Sequence, residues 1–155
     1  MKKMAFCHNK SFKGGEKVDE SNFHTMKGYQ LIENSAVTPA IEDYLEMICR
    51  IHKVNDVIRV SELAKLLHVR QSSVTKMLNN LNDLELVEYQ KYGYIKPTRK
   101  GLELGNYLLY RHSVLNNFLC YINKSESETE QVEKIEHFFD RRTIDNLNKF
   151  ISSLL

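Results

Sequence analysis

The chain has 155 residues, of which 42% are hydrophobic and 27% charged, with a net charge of +2. This length holds one domain or two small ones sharing a core, and the composition excludes wholesale disorder. No run approaches the about 18 consecutive apolar residues of a membrane helix, and no apolar stretch follows the basic start Met1-Lys2-Lys3, so neither a membrane span nor a secretory signal is expected.

Three widely spaced cysteines (Cys7, Cys49, Cys120), without a CxxC pair, read as reduced thiols of a cytoplasmic protein. Charge is distributed unevenly. The stretch from Arg59 to Gly101 is basic and that from Glu126 to Asp145 acidic, which suggests phosphate as a partner for one and a cation for the other.

Residues 1–37 lack sustained periodicity and carry Gly14-Gly15, so they are expected to form a flexible extension. Cys7, His8 and His24 within it show no ligand spacing. Thr38-Pro39 opens the first helix, with Thr as N-cap and Pro at the first helical position. Ile41, Tyr44, Leu45, Ile48 and Ile51 recur at three- and four-residue steps and define its buried face.

Val57 to Val60 is a brief β-branched stretch, after which Ser61 is expected to cap a short helix from Glu62 to Leu67. A tight connection, His68 to Gln71, precedes a third helix starting at Ser72 or Ser73 and running to about Asp83. Two alternating segments, Leu86–Lys91 and Tyr94–Thr98, flank Tyr92-Gly93 and predict a β-hairpin. Thr98 then caps a long helix through Leu119. Ser127-Glu128-Thr129-Glu130 fits a capping box for a helix carrying Val132, Ile135, Phe138 and Phe139. A last helix from about Thr143 aligns Ile144, Leu147, Phe150, Ile151 and Leu154.

This order predicts a mainly α protein with a small β-wing. A winged helix-turn-helix over residues 38–101 would be followed by a helical domain over residues 102–155, whose acidic stretch and apolar last helix point to metal binding and dimerisation. The third helix suits the major groove: Gln71, Ser72, Ser73, Thr75 and Lys76 can reach base edges or phosphates while Val74, Met77, Leu78 and Leu81 hold it on its scaffold. Lys91, Tyr92 and Tyr94 fall near the wing tip, and Arg99 and Lys100 could add backbone contacts.

Ligand-type residues occur in three places. Asp43 and Glu46 are three apart on the first helix, His112 stands on the long helix, and Glu133, Glu136 and His137 lie at i, i+3 and i+4. If the three helices pack, four carboxylates and two imidazoles come within reach. Unneutralised, the carboxylates would repel, and a divalent cation reverses that sign. Two other readings use the same residues: a helical di-metal enzyme, which has no need of a basic reading head, and a metal-independent winged-helix regulator or docking module. No nucleophile–base pair or phosphate-cradling loop points to other chemistry, so neither an enzyme nor a small organic substrate is expected.

The runs Thr38–Ile48 (TPAIEDYLEMI), Val60–Leu67 (VSELAKLL), Ser72–Met77 (SSVTKM), Arg111-His112 and Ile135-Glu136-His137 resemble the manganese-transport regulator branch of the diphtheria-toxin-repressor family. The resemblance runs from Thr38 to Leu155 and implies a homodimeric, metal-dependent repressor that binds double-stranded operator DNA. It implies a metal site of Asp43, Glu46, His112, Glu133, Glu136 and His137, with Glu46 and Glu136 able to bridge two ions. Methionine and cysteine replace Asp43 and Glu133 in the iron-responsive branch, and neither is present here. Hard oxygen ligands suit Mn²⁺, with Fe²⁺, Zn²⁺ and Cd²⁺ as other occupants. Gln71 stands where the family often has proline, and the sequence ends without the extra C-terminal domain of iron-responsive members, as expected of the short manganese type.

Overall fold

A computed structural model describes residues 36–90 and 93–154. Helix α1 (Pro39–His52) opens as expected, with the Thr38 hydroxyl accepting from the Ile41 amide and Pro39 in the first turn, where no N–H is needed. Its apolar stripe of Ile41, Leu45, Ile48, Cys49 and Ile51 is buried, as is Glu46 on its flank.

Helix α2 (Val60–Leu66) starts earlier than expected, without a side-chain cap from Ser61. The Ile58 carbonyl accepts from the Ile95 amide at 3.0 Å, so the extended stretch ends there, and the Arg59 carbonyl accepts from Leu63 to close the first helical turn. Helix α3 (Gln71–Asp83) likewise begins at Gln71 rather than at Ser72 or Ser73, because extended Arg70 already accepts from the Ser73 and Val74 amides. Both helices end with a residue in the left-handed region, His68 (φ 53°) and Glu85 (φ 59°). The next amide then reaches back to satisfy a last-turn carbonyl, Val69 to Ala64 and Leu86 to Leu81.

The hairpin is shorter than its alternation suggested. Strands β1 (Val87–Tyr89) and β2 (Ile95–Pro97) pair antiparallel in the register Val87–Pro97, Glu88–Lys96 and Tyr89–Ile95. Val87, Ile95 and Pro97 are buried, and Glu88 and Lys96 face outward. Lys91 and Tyr92, expected at the wing tip, lie outside the described residues, as do Cys7, His8 and His24.

The Thr98 hydroxyl caps α4 (Arg99–Asn123) by accepting from Gly101 at 3.0 Å. The capping box expected next does not form. Glu128 occupies the N-cap position of α5 (Thr129–Ile135) without a side-chain bond to the helix, Ser127 pairs with Thr129, and Glu130 pairs with Lys134. That helix is also shorter than its apolar pattern suggested. After Ile135 the chain tightens into a 3-10 turn, Glu136–Phe138, which leaves Phe138 exposed and buries Glu136 completely. Helix α6 (Arg141–Ser152) begins before Thr143, which serves as the amide donor to the capping Asp140 carboxylate at 2.7 Å.

Two buried clusters result. The first gathers α1, α2, α3 and both strands onto the first half of α4, as far as Leu108. The second gathers Val114 and Leu115 of α4 with Val132 of α5 and Ile144 and Ile151 of α6. Helix α4 runs unbroken past residue 101 and serves both. Phe150 and Leu154, expected on the apolar stripe of the last helix, are exposed at 47% and 43%, Leu154 lying past the end of α6.

Candidate metal centre and nucleic-acid interface

Apolar packing positions the acidic residues of α1. Gly105 lets α4 approach α1 closely, since a Cβ there would sit 2.2 Å from the Cys49 sulfur, and a Cβ on Gly101 would collide with the Leu86 carbonyl just before β1. With Leu45 and Cys49 facing α4, the adjoining flank of α1 carries Glu42, Asp43 and Glu46 toward Arg111 and His112 of α4. Val132 and Ile144 anchor α5 and α6 against Val114 and Leu115, which brings Glu133 and the 3-10 turn to the same place.

All six residues singled out from the sequence meet here. His112 Nδ1 lies 3.3 Å from Glu136 Oε2, 3.6 Å from Glu133 Oε1 and 3.9 Å from Glu46 Oε1. His137 Nε2 lies 3.0 Å from Asp43 Oδ1. Two groups of convergent ligand atoms share Glu136: one with Asp43 and His137, the other with Glu46 and His112, each spanning no more than 4.8 Å. Glu133 is the outermost member, its side chain 47% exposed.

Sequence reasoning missed three charged partners. Glu42 Oε2 is 2.7 Å from both His137 Nδ1 and Arg111 Nη2. Arg111, only 3% exposed, also lies 3.9 Å from Glu136 Oε1. Arg50 donates to Glu46 from one turn further along α1. Glu42 was legible as a residue one turn before Glu46 on the same helix. Arg111 stood in the Arg111-His112 motif, but nothing local marked it as buried, because arginine on a long helix is ordinarily solvated.

Five carboxylates against two guanidinium groups leave three net negative charges when both imidazoles are neutral. The imidazoles respond by holding protons. Hydrogen bonds to Asp43 and then Glu42 push His137 up to about 9 against the opposing effect of burial. The Glu136 carboxylate, 3.3 Å from its Nδ1, raises His112 as well, against burial. Burial pushes the Glu133 carboxyl up, with the Glu136 charge adding to it. Burial would also raise Glu42, but its bonds with His137 and Arg111 more than offset that and hold it low.

The donor set fits a divalent cation. Glu136 is wholly buried, yet neither of its oxygens accepts a hydrogen bond, and the neighbouring His112 Nδ1 is also unpartnered despite its proximity. A buried carboxylate without hydrogen bonds is costly, and convergent oxygens and imidazole nitrogens are what a hard or borderline cation requires.

Gln71, Ser72, Ser73 and Lys76 are exposed along the first turns of α3. Thr75 is half-buried and donates to the Gln71 carbonyl at 3.0 Å. A cleft between the starts of α2 and α3 and the hairpin is lined by Arg59, Ser61, Gln71, Thr75 and Tyr94, with the Arg59 guanidinium 5.8 Å from the Tyr94 ring centre. Arg99 and Lys100 are exposed but engaged locally, Arg99 with Glu103 and Lys100 with the Leu84 carbonyl.

Helix, short helix, turn, reading helix and wing, with the first helix also walling a carboxylate–imidazole cluster, define a winged helix-turn-helix regulator with a cation site in its scaffold. Comparison with known proteins identifies the lineage. Residues 36–95 match the family model "Iron dependent repressor, N-terminal DNA binding domain". The chain is 39% identical to the HTH-type transcriptional regulator MntR of Geobacillus kaustophilus over 115 residues, covering 74% of this chain and 82% of that one. It is 38% identical to MntR of Bacillus subtilis over the same length. Among solved structures it is similar to the manganese regulator SloR, with a TM-score of 0.65, 26% identity, and coverage of 74% of this chain and 54% of that one. It is also similar to ScaR with bound Zn²⁺, with a TM-score of 0.60, 27% identity, and coverage of 72% and 53%. The chain thus spans about half the length of these two structures. It belongs to the iron-dependent repressor family and is a helix-turn-helix transcriptional regulator of the metal-dependent type, not an enzyme.

Proposed function

We propose that the protein is a manganese-responsive repressor that works in the cytoplasm as a homodimer on double-stranded operator DNA. Asp43, Glu46, His112, Glu133, Glu136 and His137 are the ligands in this reading, with Glu136 shared between the two convergent groups. The observation that carries it is Glu136 itself: a wholly buried carboxylate, free of hydrogen bonds, at the meeting point of residues from α1, α4 and the 3-10 turn.

A bound divalent cation supplies the positive charge that the carboxylates lack. The remaining steps belong to the protein. Asp43 and Glu46 stand on α1, which shares a buried cluster with α3, whereas Glu133, Glu136 and His137 are anchored in the second cluster. Drawing the two sets toward one centre fixes α3 relative to the C-terminal helices. If those helices carry the dimer contact, this sets the separation of two reading helices near about 34 Å or a multiple, as successive major grooves require. Exposed Tyr121, Ile122, Phe138 and Phe150 on the C-terminal half support a self-association surface there. The predominance of oxygen ligands supports Mn²⁺ or Fe²⁺ over softer-ligand preferences, and the relatives named as manganese regulators support Mn²⁺.

The test is selection of duplexes from a random pool with Mn²⁺ present, followed by measurement of their affinity with and without the ion. A rise on the order of 100-fold corresponds to about 2.7 kcal/mol of coupling, and DNA must tighten Mn²⁺ binding equally. Glu136→Ala should abolish the response. Affinity indifferent to saturating Mn²⁺, Fe²⁺, Zn²⁺ and Cd²⁺ would falsify the proposal.

A further inference from the structure

We propose that Glu42, held by Arg111, is the positioning residue that fixes the tautomer and orientation of His137 for metal binding through Nε2. The inference rests on the metal-site reading above and adds residues outside its ligand set.

The two ring nitrogens of His137 face different groups. Nδ1 meets Glu42 Oε2 at 2.7 Å, and Nε2 points into the cluster beside Asp43 Oδ1 at 3.0 Å. A metal-binding imidazole keeps one N–H and uses the other nitrogen's lone pair. A carboxylate accepting from the non-ligating nitrogen selects which is which and raises the ligand's basicity. Glu42 is placed to do this at Nδ1, leaving Nε2 toward the shared centre.

Arg111 explains why Glu42 acts on His137 rather than joining the ligands. Its Nη2 donates to the same Oε2 at 2.7 Å from a side chain only 3% exposed. The oxygen is thereby committed to two hydrogen bonds inside the protein. Arg111 Nη2 also lies 3.3 Å from His137 Nδ1; in this tautomer both nitrogens donate to Glu42 Oε2 rather than to each other, and the three groups form a compact triangle around that oxygen. The triangle joins α1, α4 and the 3-10 turn, so the backbone elements that bring the ligands together also hold the group that orients one of them. Asp43 and Glu42 are consecutive in sequence yet serve opposite nitrogens of one ring.

The experiment uses the full chain with ¹⁵N-labelled histidine. Imidazole nitrogen shifts of the Cd²⁺-loaded protein report which nitrogen carries the proton, and titration with Mn²⁺ alone gives affinity. In the wild type, His137 should keep its proton on Nδ1 and bind through Nε2. Glu42→Ala should weaken Mn²⁺ binding by about 10–100-fold, the usual effect of losing such a support, and should lose the uniform Nδ1–H form. Glu42→Gln retains an acceptor for Nδ1–H without the charge. It should restore the tautomer, with an affinity between the other two.

Glu42→Ala with unchanged tautomer and Mn²⁺ affinity within about twofold of wild type overturns the assignment, as does metal bound through Nδ1 in the wild type. If Glu42→Ala does not fold, wild-type affinity in Glu42→Gln overturns it equally. Wild-type protein that binds neither ion removes the metal-site reading and this inference together. Normal wild-type binding with indifference to Glu42 removes only the latter.

Discussion

Gly105 of α4 faces Cys49 of α1 so closely that the space for a single methyl group is already filled by the thiol sulfur. This contact lies at the helix crossing that carries Glu46 to His112. Gly105→Ala should therefore destabilise the fold by about 1–3 kcal/mol through overpacking. It should also weaken Mn²⁺ binding by spreading the two helices. Cys49→Ala removes the sulfur but leaves its Cβ 3.0 Å from the new methyl, so the double variant should recover part of the loss. Urea unfolding of the four members of this cycle measures the coupling. Simple additivity of the two changes would count against direct steric opposition.

Arg50 and Mn²⁺ should compete for the same carboxylate. Both Nε and Nη2 of Arg50 donate to Glu46 Oε1, the oxygen that also lies near His112. Ligation through that oxygen must displace or share the guanidinium. Arg50→Gln should strengthen Mn²⁺ binding severalfold, whereas Glu136→Gln should nearly abolish it. Glu133→Gln, at the exposed edge of the cluster, should fall between wild type and Glu136→Gln. Direct Mn²⁺ titration orders the variants. A loss of affinity in Arg50→Gln would show that the arginine supports the site instead of occupying it.

Much of this arrangement is legible in the sequence. The Thr38-Pro39 start, the Ile41–Ile51 stripe and the Thr98 cap each depend on residues near in sequence, so local rules suffice. The ligand-type residues also stood out by spacing, and the helix packing brought them together. The 3-10 turn was not legible. Val132, Ile135, Phe138 and Phe139 continue a helical period, and only the tertiary arrangement that buries Glu136 breaks it. Nor was the Arg111–Glu42 pair, whose members are separated by 69 positions and give no local sign of burial. The failed cap at Ser127 has a different origin: Glu130 had a competing lysine one turn ahead.

Metal-free stability and metal affinity should respond oppositely to pH. Hydrogen bonds to Asp43 and Glu42 raise His137 from 6.5 to about 9 in the folded protein. Its contribution to stability is therefore fully present below about pH 6.5 and is lost as pH rises through about 9. Metal ligation instead requires neutral imidazole, so Mn²⁺ binding must expel protons from His137 and from His112, which is also raised. Between pH 6.5 and 9, affinity should rise while the metal-free protein becomes easier to unfold with urea. Replacing His137 with Gln should flatten the stability trend. The same slope in that variant would assign the titration to another group.

Gln71 offers a separation of folding from DNA reading. It is the first residue of α3, and Arg70 before it is extended at φ −73° and ψ 145°. Proline at this position would meet a compatible predecessor, since the residue before proline prefers that extended region. It would also occupy a helical position where an amide proton has no intrahelical acceptor. The bond that Thr75 makes to residue 71 uses the backbone carbonyl, which proline retains. Gln71→Pro should thus fold with a thermal midpoint equal to or slightly above wild type. Its exposed amide would be lost, so in this reading its preferred duplexes should change at one base position while the response to Mn²⁺ is kept. Lys76→Ala is the contrasting variant: if Lys76 meets a phosphate in this reading, its loss should weaken binding to all duplexes alike and reduce the salt dependence by about one unit of slope. Selected duplexes identical for Gln71→Pro and wild type would remove residue 71 from base recognition while leaving its role at the helix start intact.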